Sequence, residues 1–285
     1  MTEEEQLMAI DASAVGKELP ETTFEYTERD VMLYALGVGA TTDELDFVYE
    51  KNLQTLPTFG VVPAFPALGG IGKYIKFNPM MLLHGEQSIT LHGPIPTSGK
   101  LTTGGTITGI YDKGSGALVS ISVDTKDESG NVLFTNTSGI FLRGEGGFGG
   151  DRGPSASKKN VPPERAPDYT VEYKTSPDQA AIYRLSGDRN PLHIDPEFAK
   201  MGGFDKPIIH GLCTFGFVGR AVLQAVCDGD PAKLKSFEVR FSGVAFPGET
   251  IVTQIWNDAD GKVLIQATTA ERGEPVISNA SATIG

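Results

Sequence analysis

Residues 211–227 read GLCTFGFVGRAVLQAVC, a stretch that leaves little choice of surroundings. Set out as a helix, Leu212, Phe215, Phe217, Val218, Val222, Leu223 and Val226 point to different sides, and only Thr214, Arg220 and Gln224 interrupt them. A helix that is apolar on nearly every face has to be enclosed. The rest of the chain toward its C-terminus can do the enclosing. Segments 236–246, 249–258, 262–271 and 275–284 alternate or run apolar, and they are parted by turns at Pro247-Gly248, 258–261 and 272–274. Such a series is an antiparallel meander, and the simplest packing of a meander with one early buried helix is a strongly curved sheet wrapped around it. That is an α+β arrangement of the hot-dog type.

Ahead of this helix the pattern is shorter and more polar. Residues 170–173 read as a strand, and Ser176-Pro177 opens a helix to about Arg184, with Ser176 as N-cap and Pro177 in the tolerant first turn. A polar loop, 185–193, leads to a second short helix with Asp195 as N-cap and Pro196 at N1, closed by Gly202-Gly203. The first half of the chain repeats part of the plan. It has a helix from Glu28 to about Leu36 and strand-like segments 87–96, 100–111, 117–127 and 132–143, and SITLHGPIPTSGKL echoes EVRFSGVAFPGETI. In 55–72, however, prolines alternate with Gly60, Gly69, Gly70 and Gly72, so no long buried helix is expected there.

These readings combine into a double hot-dog with two curved antiparallel sheets, the second wrapped around the long buried helix. The expected divisions are an N-terminal domain over 1–145, a linker over 146–168 and a catalytic domain over 169–285. The linker is read from RGEGGFGGDRGPSASKKNVPPERAPD at 143–168, which has no hydrophobic period. The first domain, with its central helix shortened or displaced, is expected to leave room for a long apolar ligand tail.

Charge and cysteine content narrow the function. A formal net charge of −12 argues against nucleic acid or an anionic membrane as the main partner, so an anionic ligand needs a local basic pocket. The start, MTEEEQLMAI, lacks a basic n-region and an apolar run, and no other stretch approaches the length of a membrane span. Cys213 and Cys227 fall in one predicted helix, unsuited to a mutual disulfide or to a metal site. With Thr283-Ile284-Gly285 unlike a Ser-Lys-Leu address, the expectation is a cytoplasmic protein.

The chemistry concentrates in YRLSGDRNPLHIDPEFAKMGGFDKPIIHGLCTFG, residues 183–216, where Asp188, Asn190 and His193 fall within six positions of one loop. Adding water across an activated double bond needs one group to take a proton from water and another to deliver one to the carbon beside the carbonyl. Asp188 and His193 suit those tasks, and Asn190 suits orienting the water or holding the loop. Gly211, in the first turn of the buried helix, offers a backbone N–H without an intrahelical partner at the positive end of the helix dipole. An oxyanion that develops on a thioester carbonyl needs such a donor.

SGDRNPLHID followed by PIIHGLCTFG closely resembles the signature of type 2, R-specific enoyl-CoA hydratases of the MaoC-like dehydratase family. The glycine of His-Gly lies eighteen residues after His193, and LHGEQ at 83–87 and VRFSGVAFPGET extend the likeness to the two-domain hydratases related to the peroxisomal multifunctional enzyme. The resemblance implies syn hydration of trans-2-enoyl-CoA to (3R)-3-hydroxyacyl-CoA. In that case Asp188 and His193 form the catalytic pair, supported by Asn190, with the Gly211 amide as oxyanion hole. It implies acyl-CoA as substrate and neither cofactor nor metal.

Arg240 and Lys206 are the expected contacts to the CoA phosphates, with Lys158 and Lys159 weaker, and His210 is expected among the substrate contacts. His210 and Cys213 as a thiol and its base are set aside, because no third group is placed to orient the histidine. His84 and His92 are assigned packing or solvated roles. The competing readings are a hot-dog thioesterase, an acyl-carrier-protein dehydratase and a non-catalytic acyl-thioester binding module. A homodimer is compatible with the fold but not required.

Overall fold

A computed structural model describes residues 10–155 and 159–285. The acidic start over 1–9 and Lys158 lie outside the described residues. The ten strands are β1 Glu18–Tyr26, β2 Leu82–Leu91, β3 Gly99–Asp112, β4 Gly116–Lys126, β5 Val132–Arg143, β6 Tyr169–Lys174, β7 Leu234–Phe241, β8 Thr250–Asn257, β9 Lys262–Thr269 and β10 Pro275–Ile284. The helices are α1 Glu28–Gly37, α2 Leu45–Val48, α3 Val61–Leu68, α4 Gln179–Tyr183, α5 Pro196–Met201 and α6 Gly211–Val226.

The architecture is a double hot-dog, but the two expected sheets are fused into one ten-stranded sheet ordered β1-β3-β4-β5-β2-β7-β10-β9-β8-β6. The seam is β2 against β7, antiparallel from Glu86 opposite Arg240 to Thr90 opposite Ser236. Either strand alone would present a row of unpaired backbone groups, and the pairing removes both edges at once.

α6 is enclosed as expected from Leu212 to Leu223. Phe215, Phe217, Val218 and Val222 share one core with Phe237, Ile251, Ile265 and Ile277 of the surrounding strands. The helix also docks on the first half. Cys213 Sγ donates to Gly37 O, Arg220 Nη1 donates to Val38 O at 2.8 Å, and Arg220 pairs with Glu44. From α4, buried Gln179 donates through Nε2 to Gly37 O at 2.6 Å and to Leu36 O at 3.1 Å, satisfying carbonyls at the end of α1.

In the first half the central helix is short, as the sequence reading expects, and half the length of α6. α3 has eight residues, flanked by 3-10 turns Pro57–Gly60 and Gly69–Lys73. Prolines and glycines prevent a longer run, yet Ala64, Ala67 and Ile71 still reach the core formed by Ile107, Val119, Ile121 and Leu142.

Four elements differ from the sequence reading, and one of them is β2, expected over 87–96 but spanning Leu82–Leu91. β1 is absent from it, because ELPETTFEY is interrupted by Pro20 and a register shift and buries only Leu19 and Tyr26 at the edge of the sheet. α4 begins at Gln179 instead of Pro177, since Ser176 Oγ accepts from the Asp178 amide at 3.1 Å and holds a turn before the helix. β7 ends at Phe241 and not at 246. The chain leaves the sheet so that Ala245 O accepts the Ile209 amide at 2.8 Å, fixing the residues just before α6.

Candidate active site

The loop between α4 and α5 is built by its own short polar side chains. Gly187, at φ 127°, turns the chain, Asp188 Oδ1 accepts the Asn190 amide at 3.1 Å, and Asn190 Oδ1 accepts the Leu192 amide at 3.0 Å. A 3-10 turn, Pro191–His193, then carries His193 inward, where it is 8% exposed. Its Nδ1 is 2.9 Å from Ile208 O. A carbonyl only accepts, so Nδ1 holds the proton and Nε2 is left as an acceptor.

His210 caps α6 and is 1% exposed, with its Nε2 donating to the backbone carbonyl of Asp188 at 3.1 Å. Its ring stacks on His193 with centroids 3.7 Å apart and an interplanar angle of 27°, and Tyr183 covers it at 4.9 Å. Burial is the main influence holding His193 below its ordinary value, partly offset by Ile208 O and by Asp188. Burial, reinforced by His193, pushes His210 down to about 2. Both imidazoles are therefore neutral near pH 7, and His193 retains the capacity to take a proton.

A carboxylate oxygen of Asp188 and one ring nitrogen from each of His193 and His210 lie within 4.8 Å of one another. Such a trio invites a metal, but the stack argues against one. Stacked rings present their in-plane lone pairs side by side instead of converging on one ion, whereas a bridging water needs only Asp188 and His193 to face it.

A cleft of about 1510 Å³ opens onto these groups, larger than the ~300–1,000 Å³ usual for small-ligand sites. Asp188, Asn190, His193, Gly211 and Arg240 all line it. Gly211 is the first residue of α6, and a Cβ there would lie 3.4 Å from the Phe241 ring. The cleft continues into the first half between Phe65, Leu68, Ile71, Phe77 and Leu82, beside the short α3.

Two expected substrate contacts are corrected. His210 is sealed beneath His193 and Tyr183 and acts on the backbone of Asp188, outside the cleft lining. Lys206 also lies outside that lining, its ammonium 4.7 Å over the Phe246 ring. Asn190 holds the loop through Leu192 while remaining exposed at the cleft.

His84, expected to have a packing or solvated role, lines the cleft in contact with Phe241, ring centroids 5.4 Å apart. Its Nε2 is 3.1 Å from Gln87 Oε1, and burial lowers it to about 4. The signal available for it was its position in LHGEQ.

Residues 24–144 match the family described as MFE-2 hydratase 2 N-terminal domain, and residues 158–280 match the MaoC like domain. The chain is 44% identical to the probable enoyl-CoA hydratase 2 of Dictyostelium discoideum, over 97% of each chain. Among solved structures, a MaoC-like dehydratase from Phytophthora capsici superposes with a TM-score of 0.86 at 38% identity, covering 96% of this chain and 98% of that one. The full-length peroxisomal multifunctional enzyme type 2 of Drosophila melanogaster gives a TM-score of 0.82 at 40% identity. There the match covers 94% of this chain and 48% of the other.

Proposed function

Because the chain belongs to the family of MaoC-like and MFE-2 hydratase 2 domains, we propose that it adds water reversibly to trans-2-enoyl-CoA, giving (3R)-3-hydroxyacyl-CoA. It is a hydro-lyase of acyl-CoA metabolism. The observation that carries this reading is the meeting of Asp188, His193 and the Gly211 amide at one cleft.

In the proposed reaction one water sits between the Asp188 carboxylate and His193 Nε2. One of the pair takes a proton from the water as its oxygen bonds to C3, and the other supplies a proton to C2 on the same face. Negative charge that builds on the thioester oxygen is met by the Gly211 N–H, a donor of the kind whose loss typically costs about 3 kcal/mol of barrier. His193 is supported as a proton acceptor by the Ile208 carbonyl, which fixes its tautomer. Asn190 serves as a loop holder, supported by its bond to Leu192. Neither metal nor redox cofactor is needed for these steps.

The acyl tail is proposed to lie beside α3, supported by the apolar lining from Phe65 to Leu82. No helix among the described residues is long and apolar enough to cross a membrane. The cytoplasmic location is a proposal from the sequence, and the Drosophila relative is named as a peroxisomal enzyme.

The test is crotonyl-CoA with chiral analysis of the product. Loss of enoyl absorbance with the thioester intact and an R alcohol formed supports hydration. Release of free thiol would transfer the protein to the thioesterases, and tight binding without turnover would make it a binding module.

A further inference from the structure

The residues that lead into α6 act on the candidate site one after another. Ile208 O meets His193 Nδ1 at 2.9 Å, the Ile209 amide is pinned to Ala245 O at 2.8 Å, and Gly211 lines the cleft at the first position of the helix. Between them, His210 contributes through its side chain, and the hydration steps above give that side chain no task.

The His210 ring is a layer between the reacting groups and the first half of the chain. It stacks on His193 with centroids 3.7 Å apart, and Tyr183 lies against it at 4.9 Å. All three rings are buried. Beyond Tyr183 stands the end of α1, where a Cβ on Gly37 would come 3.2 Å from Tyr183 Cα and Gln179 donates to Gly37 O at 2.6 Å. The plane of His193 is therefore backed by packed groups that run through to the other half.

A carbonyl only accepts, so the 3.1 Å contact with Asp188 O places the proton on His210 Nε2. In the neutral ring Nδ1 is then a bare acceptor, and it is buried without a hydrogen-bond partner. An apolar ring of the same size would fill this space and leave no buried acceptor unpaired. What the imidazole adds over such a ring is one N–H, and that N–H goes to Asp188. The loop has use for it. Gly187, at φ 127°, immediately precedes Asp188, and the Asp188 carboxylate is itself tied to the exposed Asn190 amide at 3.1 Å. A bond from a buried ring to the backbone anchors Asp188 without taking up a carboxylate oxygen, which stays free to handle a proton.

We propose that His210 is a positioning residue that holds Asp188 and His193 in register with each other and with the Gly211 amide. Its N–H fixes the backbone of Asp188, its face fixes the plane of His193, and the next residue in the chain supplies the amide. This inference rests on the hydration reading above, and it gives His210 no contact with substrate or with the shared water.

The experiment uses two substitutions that each remove one part of the role. His210→Phe keeps a stacked ring and removes the N–H, while His210→Gln keeps an N–H in reach of the Asp188 carbonyl and removes the ring. On crotonyl-CoA each is expected to lower kcat by roughly 10–100-fold with KM within about 3-fold, since a misplacement of about 1 Å costs up to ~100-fold. Each loss is then measured where its target is already gone. His210→Phe should cost under about 3-fold in an Asp188→Asn background, and His210→Gln under about 3-fold in a His193→Gln background. Losses of undiminished size in those backgrounds, or a kcat within about 2-fold of wild type in both single variants, would overturn the assignment. Should His210→Phe not fold, His210→Gln carries the same comparison alone. Hydrogen exchange reads the role without turnover: segment 187–193 should exchange faster in the variants while the melting temperature holds. Exchange that quickens evenly over the whole chain would make His210 a plain core residue. If wild type does not hydrate crotonyl-CoA the hydration reading fails, and the exchange measurement still decides whether His210 holds the loop.

Discussion

Replacing Asp188 by Asn and His193 by Gln, separately and together, tests whether the two groups share one water. A positioned acid or base contributes about 10²–10⁴-fold, so each single variant should lose that much in kcat/KM, or ~3–5 kcal/mol of barrier. Because an Asp188 carboxylate oxygen and a His193 ring nitrogen lie within 4.8 Å of each other, the losses should not multiply. Once either group is gone the shared water is no longer activated, and the double variant should fall within about 10-fold of the worse single one. Folding should survive. Asn at 188 retains an oxygen to accept the Asn190 amide, while Gln at 193 forfeits the bond to Ile208 O, worth about 1 kcal/mol. The assay is enoyl absorbance of crotonyl-CoA below and above KM, with a thermal melt of each variant. A loss under 10-fold in either single variant, or a double variant showing the full product of the two losses, would refute the shared-water mechanism.

The acid limb of kcat/KM reports His193, and because burial holds it below its ordinary value, the half-maximal point of that limb should lie below pH 6.5. A half-maximal point at or above 6.5 would contradict that. Gly216→Ala drives a Cβ to 2.3 Å from Val38 Cγ1 at the contact between the halves, which should lower stability by about 1–3 kcal/mol in a denaturant titration. An unchanged midpoint would show that the contact gives way freely. Glu44→Ala leaves the Arg220 guanidinium, whose side chain is 1% exposed, without its carboxylate. Its cost should be about 3 kcal/mol, more than that of Arg220→Met, which leaves Glu44 partly open to water. The reverse order in chemical denaturation would argue against a buried, carboxylate-dependent arginine.

The enclosed helix was legible because Leu212 through Val226 leaves no polar side, and the meander after it because Pro247-Gly248 and its counterparts mark each turn. Asp188, His193 and Gly211 were legible because the local motif carries them and the fold only has to bring 193 and 211 together. What escaped depends on distant partners. Pro20 and scattered charge conceal β1, whose pairing with β3 supplies its order. His210 looks like a cleft residue until the carbonyl of Asp188 is found on its Nε2. The turn at Gly147 and Gly149 lies in a stretch whose glycines and prolines signal only irregularity, and Asp112, some 35 residues ahead of Gly147, is what fixes it.

The strand seam from Glu86 to Thr90 has a consequence for how the molecule can adapt. With backbone ladders crossing from one half to the other among the described residues, swinging the halves apart would break the β2–β7 pairing. A protein of this build cannot broaden its range of acyl groups by opening further. It must do so by changing the side chains beside the short helix of the first half, one wall residue at a time.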